Sequence, residues 1–207
     1  MRSSFEHGNT WTHLVGTIFA LASMWIIWPA FHVSWQMAMG VIFFCVGMFL
    51  MFLASTIYHW VHPGLAKAVL RKCDHISIYV MIACSYTPIL VSIIGGWVGW
   101  LMFGVQWACV LGGTFYKIFA MGKYPRLSLA IYLTMGWSIL LVFPQVLQHL
   151  STATLVCLLL EGLFYTAGTW FFAHDSRPGF HAVWHVFVLL GAIAHWTAIL
   201  LVIFDRL

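Results

Sequence analysis

The stretch FHAVWHVFVLLGAIAHWTAILLVIF, residues Phe180–Phe204, contains no Asp, Glu, Lys or Arg. As a helix it would be longer than the hydrocarbon core of a bilayer, since about 20 residues suffice to cross roughly 30 Å. Backbone polar groups in lipid must be satisfied within the segment, and a helix does this. The stretch therefore predicts a membrane-spanning helix.

The composition of the whole chain agrees with a membrane protein. The 207 residues are 63% hydrophobic and include nine Lys or Arg and five Asp or Glu. Soluble domains average about 25% charged residues, which they need to cover a water-facing exterior. The composition therefore argues against a soluble enzyme, a disordered protein and a nucleic-acid binder, and it predicts the lipid bilayer as the partner.

Six further apolar segments precede this one, separated by Gly, Pro and charged residues. We predict seven spans: Trp11–Phe31, Ser34–Tyr58, Asp74–Ile94, Trp97–Phe119, Leu127–Phe143, Thr152–Phe172 and Phe180–Phe204. The runs are too continuous for the alternating pattern of a membrane β-barrel. The predicted fold is an all-α integral membrane protein with seven transmembrane helices in a single domain, residues 1–207.

The loop charges predict the orientation. Eight basic residues lie on the side of the N-terminus, either before the first span, in the second, fourth and sixth loops or, for Lys117, at the adjoining end of the fourth span: Arg2, Lys67, Arg71, Lys72, Lys117, Lys123, Arg126 and Arg177. The ninth, Arg206, follows the last span. Because cytoplasmic loops carry the excess of Lys and Arg, we expect a cytoplasmic N-terminus and a C-terminus outside.

Histidines with helical spacing lie at the predicted cytoplasmic ends. His181 and His185 are four residues apart, so both imidazoles project from one helix face. Ser55 and His59 have the same spacing at the end of the second segment, and Asp74 opens the third. The topology predicts that all five lie at the same side of the membrane.

Three imidazoles with an aspartate nearby are typical of a catalytic zinc site, in which three protein ligands leave one position for water. Such a water loses a proton near pH 7 and attacks carbonyl groups. The other interpretation is a set of histidines that only form hydrogen bonds at the membrane boundary. The spacing alone favours this second interpretation, because an HxxxH pair without the glutamate of HExxH is only moderately specific.

Other polar residues interrupt the apolar segments. Glu6, Asn9 and His13 form one polar stripe that enters the first helix. These residues either line a cytoplasmic cavity together with the histidines or form a hydrogen-bonded cap at the membrane interface. His195 follows His185 at about 15 Å greater depth, where we expect a buried, hydrogen-bonded imidazole. Glu161 is either protonated and bonded to a neighbour or placed in a wet cavity.

Several motifs in this order resemble those of the hemolysin III family of bacterial membrane proteins, relatives of the progestin and adipoQ receptors. They are Glu6-x-x-Asn9-x-x-Thr12-His13-x-x-Gly16, Ala54-Ser55-Thr56-Ile57-Tyr58-His59, Asp74-His75-x-x-Ile78-Tyr79, Ser85-Tyr86-Thr87-Pro88, Tyr132-x-x-Met135-Gly136-Trp137, Gly162-x-x-Tyr165-Thr166-x-Gly168 and His181-Ala182-Val183-Trp184-His185-x-Phe187-Val188-Leu189. The resemblance covers nearly the whole chain and implies a location in the bacterial inner membrane.

The wider superfamily, which includes alkaline ceramidases, implies a Zn²⁺ site. By motif, the zinc ligands would be His59, His181 and His185. Asp74 would hold and deprotonate the water, and Ser55 would donate a hydrogen bond or contact the oxyanion. Glu161 departs from the Gly expected there.

The residues and the resemblance lead to one main functional hypothesis and several alternatives. The main hypothesis is a zinc-dependent intramembrane hydrolase that acts on a lipid amide or ester, with a role in membrane-lipid homeostasis. The first alternative is a non-enzymatic sensor or receptor in which zinc only joins helices. A hemolysin-type, membrane-permeabilising protein is the second, and a transporter is a weaker third because no internal repeat is visible.

Overall fold

The computed structural model describes the backbone of residues 4–207 and the side chains of all of these except Ser4, Phe5 and Pro125. Arg2, one of the residues behind the predicted orientation, lies outside the described residues. Within residues 4–207 the chain is helical and has no strand. Seven helical segments there are long and apolar enough to cross a membrane. The predicted seven-span helical fold is confirmed, and the orientation of the termini stays a prediction.

The spans are called the first to the seventh in chain order. They are Glu6–Val33, Trp35–Trp60, Leu65–Ile94, Gly96–Phe119, Arg126–His149, Thr152–Ala173 and Phe180–Phe204. Three of them change helix type along their length. The first consists of Ser4–Ala22, Ser23–Ile26 and Ile27–Val33, and the third consists of Leu65–Thr87 and Pro88–Ile94. The fifth consists of Pro125–Trp137, Ser138–Val142 and Phe143–His149.

Local chemistry accounts for several helix ends. The Ser34 hydroxyl accepts a hydrogen bond from the Met37 amide at 3.0 Å and so caps the second span. Gly179 precedes the seventh span with φ of +83°, a left-handed conformation that favours glycine. Pro88 has no N–H to donate, and the third span continues from there as a wider π-helix.

Two predicted loops are helical. The third span begins at Leu65 rather than at Asp74. Its charged first turns are rich in Ala, Leu, Lys and Arg, which are good helix formers, so charge was a poor guide to its start. The fifth span continues to His149, because Pro144 occupies the first turn of a helical segment, where its missing N–H is not needed.

The second span connects the packing of the first and third spans. It packs against the first and third spans, while the seventh packs against the sixth and the first. The second and third spans approach closely at Gly40, where a Cβ atom would lie 2.6 Å from the Pro88 Cα atom. Small residues allow such close packing between membrane helices. This arrangement brings the end of the second span beside the start of the seventh.

Candidate metal centre

Three imidazoles from two spans converge at one end of the bundle. His59 comes from the last turn of the second span, and His181 and His185 come from the start of the seventh. The ring centroid of His59 lies 5.0 Å from each of the other two, which are 4.6 Å apart. One ligand nitrogen from each ring lies within 4.8 Å of the others. Ligand nitrogens on a tetrahedral zinc ion with bonds of about 2.1 Å lie roughly 3.4 Å apart, so the ring nitrogens would have to approach one another by up to about 1.4 Å to bind one ion.

Two of these imidazoles are oriented through their Nδ1 atoms. His59 Nδ1 lies 2.6 Å from Glu6 Oε2. His185 Nδ1 lies 3.1 Å from the backbone carbonyl oxygen of Asn9. When Nδ1–H donates to a carboxylate or carbonyl, the lone pair on Nε2 faces the other way, which is the usual arrangement of metal-binding histidines. The residues present therefore fit a metal ion.

The third imidazole faces a carboxylate in the loop between the sixth and seventh spans. His181 Nδ1 lies 3.7 Å from Asp175 Oδ2. This neighbouring imidazole lowers the pKa of the Asp175 carboxyl below its ordinary value. The carboxylate thus stays ionised beside His181 and can orient its ring as Glu6 orients that of His59.

The first and third spans supply further neighbours of the cluster. The His13 ring stacks on that of His185 with centroids 3.6 Å apart, and the Thr12 hydroxyl lies 3.1 Å from His185 Nδ1. Lys67 Nζ donates to Glu6 Oε1 at 2.9 Å. The stripe predicted in the first span thus surrounds the histidines. Sequence reasoning missed the parts played by Thr12, Lys67 and Asp175, although Thr12 lies in the same motif as Asn9 and His13.

Asp74 and Ser55 lie on the wall of a cavity that begins at the histidines. This cavity has a volume of about 690 Å³, and His13, His181 and His185 also line it. Asp74 is outside the group of three converging ligands. The Ser55 hydroxyl is buried next to the Asp74 carboxylate but does not form a hydrogen bond with good geometry. The arrangement places a carboxylate and a hydroxyl on the path from the cavity to the imidazoles.

The far end of the same cavity contains a second polar pair. His195 Nδ1 lies 2.7 Å from Glu161 Oε2, and both residues line the cavity. His195 is buried and hydrogen-bonded, as predicted. The carboxyl group of Glu161 is bonded to a neighbour and also lines the cavity, and its predicted protonation and the predicted wet cavity stay predictions. The pair lies deep in the bundle, apart from the three imidazoles.

A family model described as Haemolysin-III related matches residues 1–196. The chain belongs to the haemolysin-III family. It is 34% identical over 197 residues to the "Hemolysin-3 homolog" of Bacillus subtilis, covering 94% of this chain and 92% of that protein. Its identity to "Hemolysin-3" of Bacillus cereus is 32% over 189 residues, with coverage of 90% and 86%.

The haemolysin-III relatives extend beyond bacteria. The human "Monocyte to macrophage differentiation factor" is 30% identical over 206 residues, covering 94% of this chain and 83% of that protein. These findings confirm the resemblance drawn from the motifs and support an integral membrane protein. The roles assigned to His59, His181, His185, Asp74 and Ser55 stay predictions.

Proposed function

We propose that this haemolysin-III protein is a zinc-dependent hydrolase that cleaves an ester or amide bond of a membrane lipid. The observation that carries the proposal is the convergence of three imidazoles at the wall of a cavity that also exposes Asp74 and Ser55. A zinc ion held by three imidazoles supplies an activated water and a Lewis acid that polarises a carbonyl group.

The chain's own residues have separate tasks in this proposal. Asp74 accepts a proton from the attacking water and returns it to the leaving alcohol or amine. Ser55 donates a hydrogen bond to the Asp74 carboxylate or to the carbonyl oxygen, where negative charge develops. The products are a carboxylic acid and an alcohol or amine. Turnover of this kind would serve membrane-lipid homeostasis in the inner membrane.

The apolar part of the cavity wall supports a lipid as the substrate. Between the imidazoles and Glu161 the wall includes Ile78, Ile82, Ile89, Leu158, Trp184 and Val188. The fifth and sixth spans flank this part, and the hydrogen bond from Trp137 Nε1 to Thr166 Oγ1 at 3.0 Å connects them. An acyl chain entering from the bilayer would find an apolar path to the histidines.

The test uses the full-length protein in detergent micelles supplied with lipid esters and amides. Mass spectrometry measures released fatty acid, and elemental analysis measures bound metal. We expect Asp74→Asn to keep the metal and lose turnover by about 10²–10⁴-fold, the usual contribution of a general base. Asp205→Asn makes the same change at the other end of the bundle, on an exposed residue, and should leave both quantities unchanged. Wild-type protein without stoichiometric metal, or an Asp74→Asn variant that is as active as wild type, would refute the proposal.

A second function is favoured by the way in which the cluster joins separate spans. The ligands come from the second and seventh spans, and Glu6 of the first span orients His59. A metal ion here would hold three spans together, as a non-enzymatic sensor or receptor requires. In that case Asp74→Asn would keep metal and function alike. The relatives named Hemolysin-3 suggest membrane permeabilisation, which dye release from liposomes would detect.

A further inference from the structure

Lys117 is a buried cation near the end of the fourth span. Its side chain faces the cavity, and only 4% of the residue is exposed. The ammonium lies 3.2 Å from His75 Nδ1 and 5.7 and 5.8 Å from the ring centroids of Tyr116 and Tyr132. An ammonium has three N–H donors, so the one hydrogen bond to His75 leaves donor capacity directed at the cavity.

No carboxylate among the described residues compensates this charge at close range. The ion pairs within 4.0 Å in residues 4–207 do not include Lys117, and Asp74 acts on it only from a longer distance. Burial of a cation without a paired anion is expensive. The described residues therefore supply no anion that pairs with the Lys117 ammonium, and a bound anionic ligand would fill this place.

Two more cations line the same cavity. Arg71 lies one turn before Asp74 in the third span, and Arg126 begins the fifth. Neither forms an ion pair within the described part of the chain. Guanidinium groups match the geometry of phosphate oxygens and bind them through two parallel hydrogen bonds. Three cations from three spans therefore line the cavity that Asp74 also lines, and Arg71 is close enough to Lys117 to act on it electrostatically.

We propose that Arg71, Lys117 and Arg126 bind the phosphate of an anionic phospholipid, whose acyl chain occupies the apolar part of the cavity. A free phosphate would satisfy the cations but would not fill the apolar wall. The headgroup position places the glycerol esters near Asp74 and His181, which line the same cavity. The inference deepens the proposed function by naming its substrate class, but the binding step can be tested without any turnover.

The experiment measures lipid binding to the full-length protein in nonionic detergent by native mass spectrometry. The probes are phosphatidylglycerol and phosphatidylcholine with identical acyl chains. We expect wild type to prefer phosphatidylglycerol, and we expect Lys117→Met to reduce this preference about tenfold, as for the loss of one charge-assisted hydrogen bond. Lys117→Arg keeps the charge and should keep most of the preference, so a folding defect at this position can be recognised.

Lys123→Met is the matched control. Lys123 carries the same charge in the neighbouring loop, but its ammonium lies over the Tyr124 ring and it does not line the cavity. This variant should keep the preference. Equal affinities of wild type for the two lipids, or equal losses in Lys117→Met and Lys123→Met, would overturn the proposal. Displacement of the lipid by millimolar inorganic phosphate would overturn its lipid part and indicate a soluble anion.

A further variant separates this inference from the hydrolase. His181→Ala with His185→Ala removes two predicted metal ligands without touching the three cations. We expect this variant to prefer phosphatidylglycerol as wild type does. Wild-type protein that keeps the preference but holds no stoichiometric metal would refute the hydrolase alone, whereas metal-loaded wild type without the preference would refute the phospholipid site alone.

Discussion

His185 and His195 lie on the same helix and are equally buried, at 2% exposure each, but their surroundings differ. His185 has three further imidazoles, those of His13, His59 and His181, within 5.0 Å of its ring centroid. His195 has one carboxylate, that of Glu161, at 2.7 Å. A zinc site needs at least three protein ligands, so only the first of these places meets the requirement among the described residues. Burial and residue type alone do not identify a metal centre in a membrane helix.

The pairs Glu6–His59 and Glu161–His195 extend this comparison. In each, a glutamate lies within 2.7 Å of a histidine Nδ1 atom. Near the histidine cluster the carboxylate orients a ring towards other imidazoles. Deep in the bundle the same contact joins the sixth and seventh spans and leaves the His195 Nε2 atom buried without a hydrogen-bond partner. The same local chemistry thus serves a proposed ligand in one region and helix packing in the other.

The largest expected effect concerns the histidines themselves. We expect His185→Ala to weaken zinc binding by more than about 100-fold, since it removes a direct ligand and exceeds the 10–100-fold effect of outer partners. His195→Ala deletes an equally buried imidazole from the same helix and should keep full metal content. Elemental analysis of purified protein measures both. Equal metal loss in the two variants would show that the regions around His185 and His195 do not differ in zinc binding.

A smaller effect is expected for the carboxylates. Glu6→Ala removes the group that orients His59 and should weaken zinc binding about 10–100-fold. Glu161→Ala makes the same change beside His195 and should leave zinc affinity unaltered. Competition with a fluorescent chelator gives the two affinities. Unchanged affinity in Glu6→Ala would show that its contact with His59 is structural only.

The pH dependence of zinc affinity provides a further test of the difference between the two regions. Metal-bound imidazoles must be neutral, and an ordinary imidazole has a pKa of about 6.5. Protons therefore compete with zinc once the pH falls below the pKa of the unbound imidazoles, and apparent affinity should then drop by up to about tenfold per pH unit for each imidazole. Chelator competition at successive pH values measures the slope. Wild type and Glu161→Ala should show the same dependence of apparent zinc affinity on pH. A displaced curve for Glu161→Ala would show that the two regions are energetically coupled.

The smallest effect concerns stability. Glu161→Ala breaks a hydrogen bond between two membrane helices, and such bonds contribute about 0.6 kcal/mol on average and up to about 1.7 kcal/mol. We expect a decrease in the free energy of unfolding of about 1 kcal/mol, with a lower Tm in detergent. A double-mutant cycle with His195→Phe isolates the pair. Additive effects of the two substitutions would mean that the pair does not stabilise the bundle.

The sequence predicted a feature correctly where all of the residues involved lie on one helix. Long runs without charge predicted the seven spans, because a chain in lipid must satisfy its own backbone hydrogen bonds. The four-residue spacing predicted that His181 and His185 share one face, because helix geometry imposes it. The charged stretch before Asp74 was taken for a loop, since charge marks contact with water equally well in a helix and in a loop.

Features that join distant parts of the chain came from packing. His59 and His181 are far apart in sequence, and their rings meet because the second and seventh spans both pack against the first. The pairing of Glu161 with His195 and the burial of Lys117 likewise depend on which helix faces meet. The chain's composition and periodicity dictate what each helix must bury, because lipid cannot satisfy polar groups. Interhelical contact then selects which polar groups satisfy one another, because membrane helices are equally apolar around most of their surface and choose partners by close fit.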